Sequence, residues 1–146
     1  MMKLFTMLIS LFMALLRLFG ITGDFAPMNE YHTDYEGVYI TIESIDSDSQ
    51  SVDVVWHNES DITVSFGMGY SIEYLNGDVW EDVQIVDFAI IEIACILDPA
   101  SSGHHTYSTE YFNMLRAGTY RIRCEFYPVD SDVGACSTYA LFMVKY

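Results

Sequence analysis

The sequence predicts an all-β fold, an antiparallel two-sheet β-sandwich preceded by an N-terminal hydrophobic helix. Three observations carry this. The first 23 residues contain no acidic residue, whereas all 21 acids follow Gly23. Beyond that point aromatic and β-branched residues are plentiful and long helical periodicities are absent. Short runs of alternating apolar and polar residues recur instead, separated by turn residues at the spacing of a sandwich.

Residues 1–23 read as a signal peptide or membrane anchor. Leu4 to Leu16 is nearly continuous hydrophobe behind the positive Lys3, which is the signal-peptide pattern of a charged start followed by ~7–15 apolar residues. A spanning helix needs ~20 apolar residues. This run reaches that length only by taking Arg17 into the bilayer, a cost that snorkelling at one end relieves. Gly20 and Gly23 are small residues near plausible cleavage points. The alternative is an amphipathic or buried helix of the folded domain. Export places the rest of the chain outside the cell or at its surface. The membrane is a partner through this segment where it is not cleaved.

Residues 24–36 read as an exposed tether, and 37–146 as the folded domain, large enough for a single core. Val38, Ile40 and Ile42 alternate with Tyr39, Thr41 and Glu43. Val52, Val54 and Trp56 alternate with Asp53, Val55 and His57. Ile62, Val64 and Phe66 follow, then Tyr70, Ile72 and Tyr74. Asn76-Gly77-Asp78 is a hairpin signal, because such turn positions want positive φ. Ile91, Ile93, Cys95 and Leu97 form another inward set, stopped by Pro99. Tyr120, Ile122, Cys124 and Phe126 form the next, and Ala140, Phe142 and Val144 close the chain. One helical turn is expected near Glu110 to Arg116, ended by Gly118.

Several of these stretches resemble a bacterial immunoglobulin-like domain. They are Phe66-Gly67-Met68-Gly69-Tyr70-Ser71-Ile72-Glu73-Tyr74, Trp80-Glu81-Asp82-Val83, Ile96-Leu97-Asp98-Pro99, Leu115 to Ile122, and the terminal Ala140 to Val144. The family is found in secreted and cell-surface proteins of Gram-positive gut bacteria and at the extracellular ends of some membrane-bound sensor peptidases. The resemblance covers roughly Gly37 to Tyr146 and implies an Ig-like sandwich with no catalytic residues to carry over. Its motifs concern packing and turns, so they specify fold better than function. Leu115-x-x-Gly118-x-Tyr120 looks like a tyrosine corner, in which the Tyr hydroxyl bonds back to upstream backbone. An ordinary half-buried strand Tyr is the alternative.

The chemistry-bearing residues are sparse. A hairpin centred on Asp130-Ser131-Asp132 sets Cys124 directly opposite Cys136, within reach of a cross-strand disulfide. Buried free thiols are the alternative. Cys95 sits mid-strand, where burial suppresses thiolate reactivity. His104 and His105 are adjacent in an expected loop. In an extended chain they would point apart and could not easily share a metal ion. His32 falls in the tether and His57 faces outward, so no metal or cofactor is expected. Asp46-Ser47-Asp48-Ser49 and Asp130-Ser131-Asp132 begin like calcium loops but lack the Gly and late Glu of an EF-hand, and read as hairpin turns. Asn58-Glu59-Ser60 fits the glycosylation sequon and is a plain turn in a bacterial chain. Trp56 and Trp80 read as sheet-packing residues, with Trp80 the better candidate for an outward ring.

The body holds four basic and 21 acidic residues, a net charge of −17. That excludes nucleic acid as a partner and disfavours anionic lipid surfaces. The leading reading is a non-enzymatic extracellular or membrane-anchored binding or sensing module, whose partner is a protein or cell-surface ligand. Its expected contact surface is the outward row Tyr139, Leu141 and Met143 of the last strand, read as an edge. The alternatives are a small metal-dependent hydrolase using the loop histidines, and a structural spacer.

Overall fold

Two antiparallel sheets face each other across one apolar core in the computed structural model, which describes residues 2–18, 24–46, 51–83, 94–108 and 115–145. The strands are β1 (Asp24–Thr33), β2 (Val38–Asp46), β3 (Ser51–Asn58), β4 (Val64–Asn76), β5 (Val79–Asp82), β6 (Cys95–Leu97), β7 (Ser101–Ser108), β8 (Gly118–Pro128) and β9 (Cys136–Lys145). The larger sheet runs β1-β9-β8-β4-β5, with β6 also pairing β4. The smaller runs β2-β3-β7. Helix α1 (Met2–Leu18) precedes them, and its Leu4, Met7, Leu8, Leu11 and Phe12 are exposed, outside the sandwich core. Among the described residues no helix is long and apolar enough to cross a membrane.

Alternation builds the core. Val38, Ile40, Val52, Val54 and Trp56 from the small sheet meet Ile72, Tyr120, Ile122, Cys124, Phe126, Phe142 and Val144 from the large one, all essentially buried. Trp56 stacks on Phe66 at 4.2 Å and meets Phe126 edge-on at 6.0 Å. Its indole N–H donates to the buried Tyr107 hydroxyl at 3.2 Å, so the polar end of the largest core side chain is satisfied. Ile91, Ile93 and most of the expected helical turn at 110–116 lie outside the described residues.

Three expectations are corrected. The expected tether is mostly strand β1, hydrogen-bonded to β9 from Asp24↔Lys145 to Thr33↔Thr138. Its pattern hid it, because an edge strand with Pro27 and a bulge between Pro27 and Tyr31 buries few of its side chains. The last strand is therefore no edge, since β9 lies between β1 and β8. The segment holding His104 and His105 is strand β7, paired with β3 over eight positions. It reads as a loop because Tyr107 is its one large apolar residue.

Turn chemistry follows local demands. The β4–β5 hairpin pairs Asn76 with Val79, which leaves Gly77 and Asp78 as its two-residue loop, and Gly77 takes φ +63°. Asn76 is thus the last strand residue. At the start of β8, Gly118 adopts φ +150°, and a Cβ there would lie 2.6 Å from the Tyr74 ring. Glycine is required on both counts.

Candidate functional site on the three-stranded sheet

The outer face of β2-β3-β7 carries the side chains that alternation leaves outside the core. Tyr39 on β2 lies beside His57 on β3, and Tyr31 of β1 reaches across from the larger sheet to join them. The three rings stack in a row, Tyr31 on Tyr39 at 4.3 Å and Tyr39 on His57 at 4.6 Å, with interplanar angles of 11° and 16°. Tyr31, at the end of the row, is 44% exposed. The row is fixed at its polar edges. The Tyr39 hydroxyl donates to Glu59 at 2.8 Å, and Thr41 Oγ1 lies 2.9 Å from His57 Nε2.

The row depends on β1 being clasped to β2. Thr138 on β9 supplies the clasp. Its hydroxyl accepts the Ile40 N–H at 3.3 Å and donates to the His32 carbonyl at 3.1 Å. Thr33 adds a hydroxyl bond to the Val38 carbonyl. A buried threonine so bonded costs little to bury.

Further along the same face stand carboxylates. Asp53 accepts from Thr106 at 2.6 Å and from Ser44 at 2.9 Å. These donors, Thr106 first, hold its carboxyl below the usual range. His104 Nε2 lies 3.2 Å from Glu43 Oε2, and its side chain is 70% exposed. Hydrogen bonding to Glu59, with burial second, pushes the Tyr39 phenol up to about 12, so it remains a donor at any physiological pH. Burial lowers the His57 imidazole below its ordinary value.

The other residues singled out in the sequence fall elsewhere. His104 and His105 point to opposite faces of β7. His105 turns inward between Phe66 and Tyr107, with ring centroids 6.1 and 4.5 Å away, and its buried Nε2 has no hydrogen-bond partner. The two imidazoles cannot share one ion, and among the described residues no group of three or more His, Cys, Asp or Glu could hold a metal. His32, on β1, lies 3.5 Å from Glu30.

The register of β8 and β9 pairs Cys136 with Phe126 and Cys124 with Thr138. The expected opposition of Cys124 and Cys136 is therefore wrong, because a hairpin centred on Ser131 leaves the two cysteines two residues out of step. Cys95, Cys124 and Cys136 are all free. Burial pushes the Cys124 thiol up to about 12, which makes it inert as a nucleophile. The Asp130 turn uses ordinary turn chemistry, with Asp130 at φ +56° and the Val133 N–H bonded to Ser131 Oγ at 3.1 Å. Asn58 of the sequon is 1% exposed. Its amide donates to the carbonyls of Ile62, Leu97 and Asp98 at 2.8 to 3.1 Å, so it joins two loops and offers nothing to a glycosyl donor.

Tyr120 donates from its hydroxyl to the Arg116 carbonyl at 2.7 Å, the back-bond by which a tyrosine corner fixes the entry to a late strand. The row Tyr139, Leu141 and Met143 does lie on the outer face of the large sheet, but it is not open. Leu141 is 4% exposed. The Arg121 guanidinium lies over Tyr139 at 4.1 Å and over Trp80 at 4.3 Å, and is bonded to Glu73. Arg121 thereby ties β5, β4, β8 and β9 together across that face.

The contact candidate missed in the sequence is the Tyr31–Tyr39–His57 row. Tyr39 and His57 are legible there as outward residues. Tyr31 is not, because its place depends on β1 being a strand.

A two-sheet antiparallel sandwich with that tyrosine bond defines an immunoglobulin-like domain. The chain belongs to the bacterial Ig-like domain family, whose model matches residues 34–139. No curated protein matches it. Among solved structures, one described as an ApaA protein from Bordetella pertussis is similar, with 10% identity over 85% of this chain and 94% of that one, at a TM-score of 0.38.

Proposed function

We propose that this chain is a non-enzymatic, extracellular or membrane-anchored Ig-like module that binds a protein or cell-surface ligand through the outer face of its three-stranded sheet. One observation carries the reading. A pre-stacked aromatic row, exposed at its Tyr31 end, and hydrogen-bonded carboxylates lie together on one sheet face. A face ordered by its own contacts loses little side-chain entropy when a partner arrives. Family membership supports it, since Ig-like sandwiches present faces and loops to partners. The apolar leader behind Lys3 supports a place at or outside the membrane.

Binding and turnover are separable by experiment. The mature chain is incubated with envelope fractions of the cells that make it. Saturable, reversible retention of a chemically unchanged ligand is expected. Steady release of a new product, abolished by His104→Ala, would contradict the reading.

A further inference from the structure

We propose that the outer face of the three-stranded sheet docks an extended, lysine- or arginine-bearing segment of another protein. Tyr31, at the open end of the Tyr31–Tyr39–His57 stack, offers a ring face to one of its cations, and Glu43, Asp53 and Glu59 receive its charges. The proposal rests on the binding reading above and adds the partner's chemistry.

The charge partition of the chain is the first ground. From Asp24 to Leu115 there are 18 acidic residues and no lysine or arginine. The four basic residues of the body, Arg116, Arg121, Arg123 and Lys145, all come later, three of them on β8 and β9 of the other sheet. There, arginines neutralise carboxylates. Arg121 pairs with Glu73, and Arg123 lies 3.3 Å from Glu125. The small sheet holds no lysine or arginine, and Glu43 has the imidazole of His104 beside it at 3.2 Å. Asp53 and Glu59 are held by the neutral hydroxyls of Ser44, Thr106 and Tyr39. Hydroxyl donors orient a carboxylate without cancelling its charge, so the face stays anionic and attracts cations.

The aromatic row is the second, independent ground. Tyr31 is stacked on one side by Tyr39 and remains 44% exposed at the end of the row. Tyrosine rings attract ammonium and guanidinium groups over their faces, and arginine also stacks on them. Spacing is the third. From the His57 row to the Asp53 row is about 13 Å along β3, four residues at ~3.3 Å each. Side chains at i and i+4 of an extended partner have the same separation.

The test uses the full chain in neutral detergent and a fluorescent ten-residue peptide of alternating Lys and Ser, read by anisotropy. Neutralising the face with Glu43→Gln, Asp53→Asn and Glu59→Gln is expected to weaken binding roughly tenfold, the scale of a few lost charge contacts. Removing equal charge elsewhere, with Glu81→Gln, Asp82→Asn and Asp130→Asn, is expected to change it less than about twofold. Tyr31→Ser should weaken binding, whereas Tyr127→Ser, at an equally exposed ring on β8, should not. Matched urea midpoints establish that each variant is folded. If one is not, Tyr39→Phe, which deletes only the hydroxyl on Glu59, takes its place. Equal losses from both charge triples would overturn the proposal, because diffuse charge would then explain the binding. So would the absence of saturable binding, although a module that binds some other ligand would survive that result.

Discussion

Single residues in this sandwich do unequal work, and Asn58 shows how much one polar side chain can carry. Its amide satisfies the carbonyls of Ile62, Leu97 and Asp98, and its oxygen accepts from the Ser60 backbone at 3.1 Å. Asn58→Ala leaves the Leu97 carbonyl without its buried donor, whereas Asp98 and Ile62 keep hydroxyl donors from Ser101 and Ser60, and each group left unsatisfied costs about 1–3 kcal/mol. A clear fall in urea midpoint is expected, comparable with that of Ile122→Ala at about 2–5 kcal/mol. Histidines set the acid response. His105 and His57 both have pKa values lowered by burial, so each binds a proton more weakly folded than unfolded. As pH falls through the ordinary value of 6.5, the unfolded chain takes up more protons and stability declines. The rings of Phe66 and Tyr107 flank His105, whereas Glu59 and His104 also act on His57. Urea midpoints are therefore expected to drop between pH 7.5 and 5.5, and less steeply in His105→Phe. Asp53, with its pKa lowered, acts in the opposite sense and in a separate window. It stabilises above the usual carboxylate value of 3.8, and that contribution disappears on further acidification.

Elements reveal where physical pattern was readable and where it was not. β2, β3 and β8 announce themselves, because each buries one face more deeply than the other, as in Val52, Val54 and Trp56 against Asp53, Val55 and His57, and β9 does so as a largely apolar run buried on both faces. β1 and β7 do not. Their order comes from backbone pairing with β9 and β3, and pairing leaves no periodic trace when few side chains are buried. The β8–β9 register was legible in the turn, which is centred on Ser131 as expected. Parity puts Cys124 and Cys136 on one face, but counting from that centre sets Cys136 opposite Phe126 and Cys124 opposite Thr138, which separates the two. Thiol titration of the unfolded, unreduced chain should accordingly find three free thiols, and one would contradict this register. Removing residues 24–33 provides a second check. A dispensable tether would leave stability unchanged. Strand β1, which carries the half-buried Phe25 and accepts the Thr138 hydroxyl bond, predicts a lower urea midpoint or an insoluble chain.

At the scale of the whole molecule, function follows from which surfaces the sandwich leaves open. Around Arg121 the large sheet's outer face is closed on itself by Trp80, Tyr139 and Glu73, and the small sheet's outer face is anionic and aromatic, with Tyr31 exposed at the end of its ring stack. The pairing Asp24↔Lys145 puts the start of β1 and the end of β9 at the same pole. A retained leader would hold the domain by that pole, with the turns at 34–37, 59–63, 98–100 and 129–135 at the other. The central claim, a binding module displayed outside the membrane, is tested most directly by labelling intact cells that express the full chain with a membrane-impermeant amine reagent. Lys145 is exposed and is the only lysine after residue 23. The account predicts that Lys145 is modified on intact cells, and mass spectrometry of the C-terminal peptide reads it. Modification of Lys145 only after lysis would contradict it.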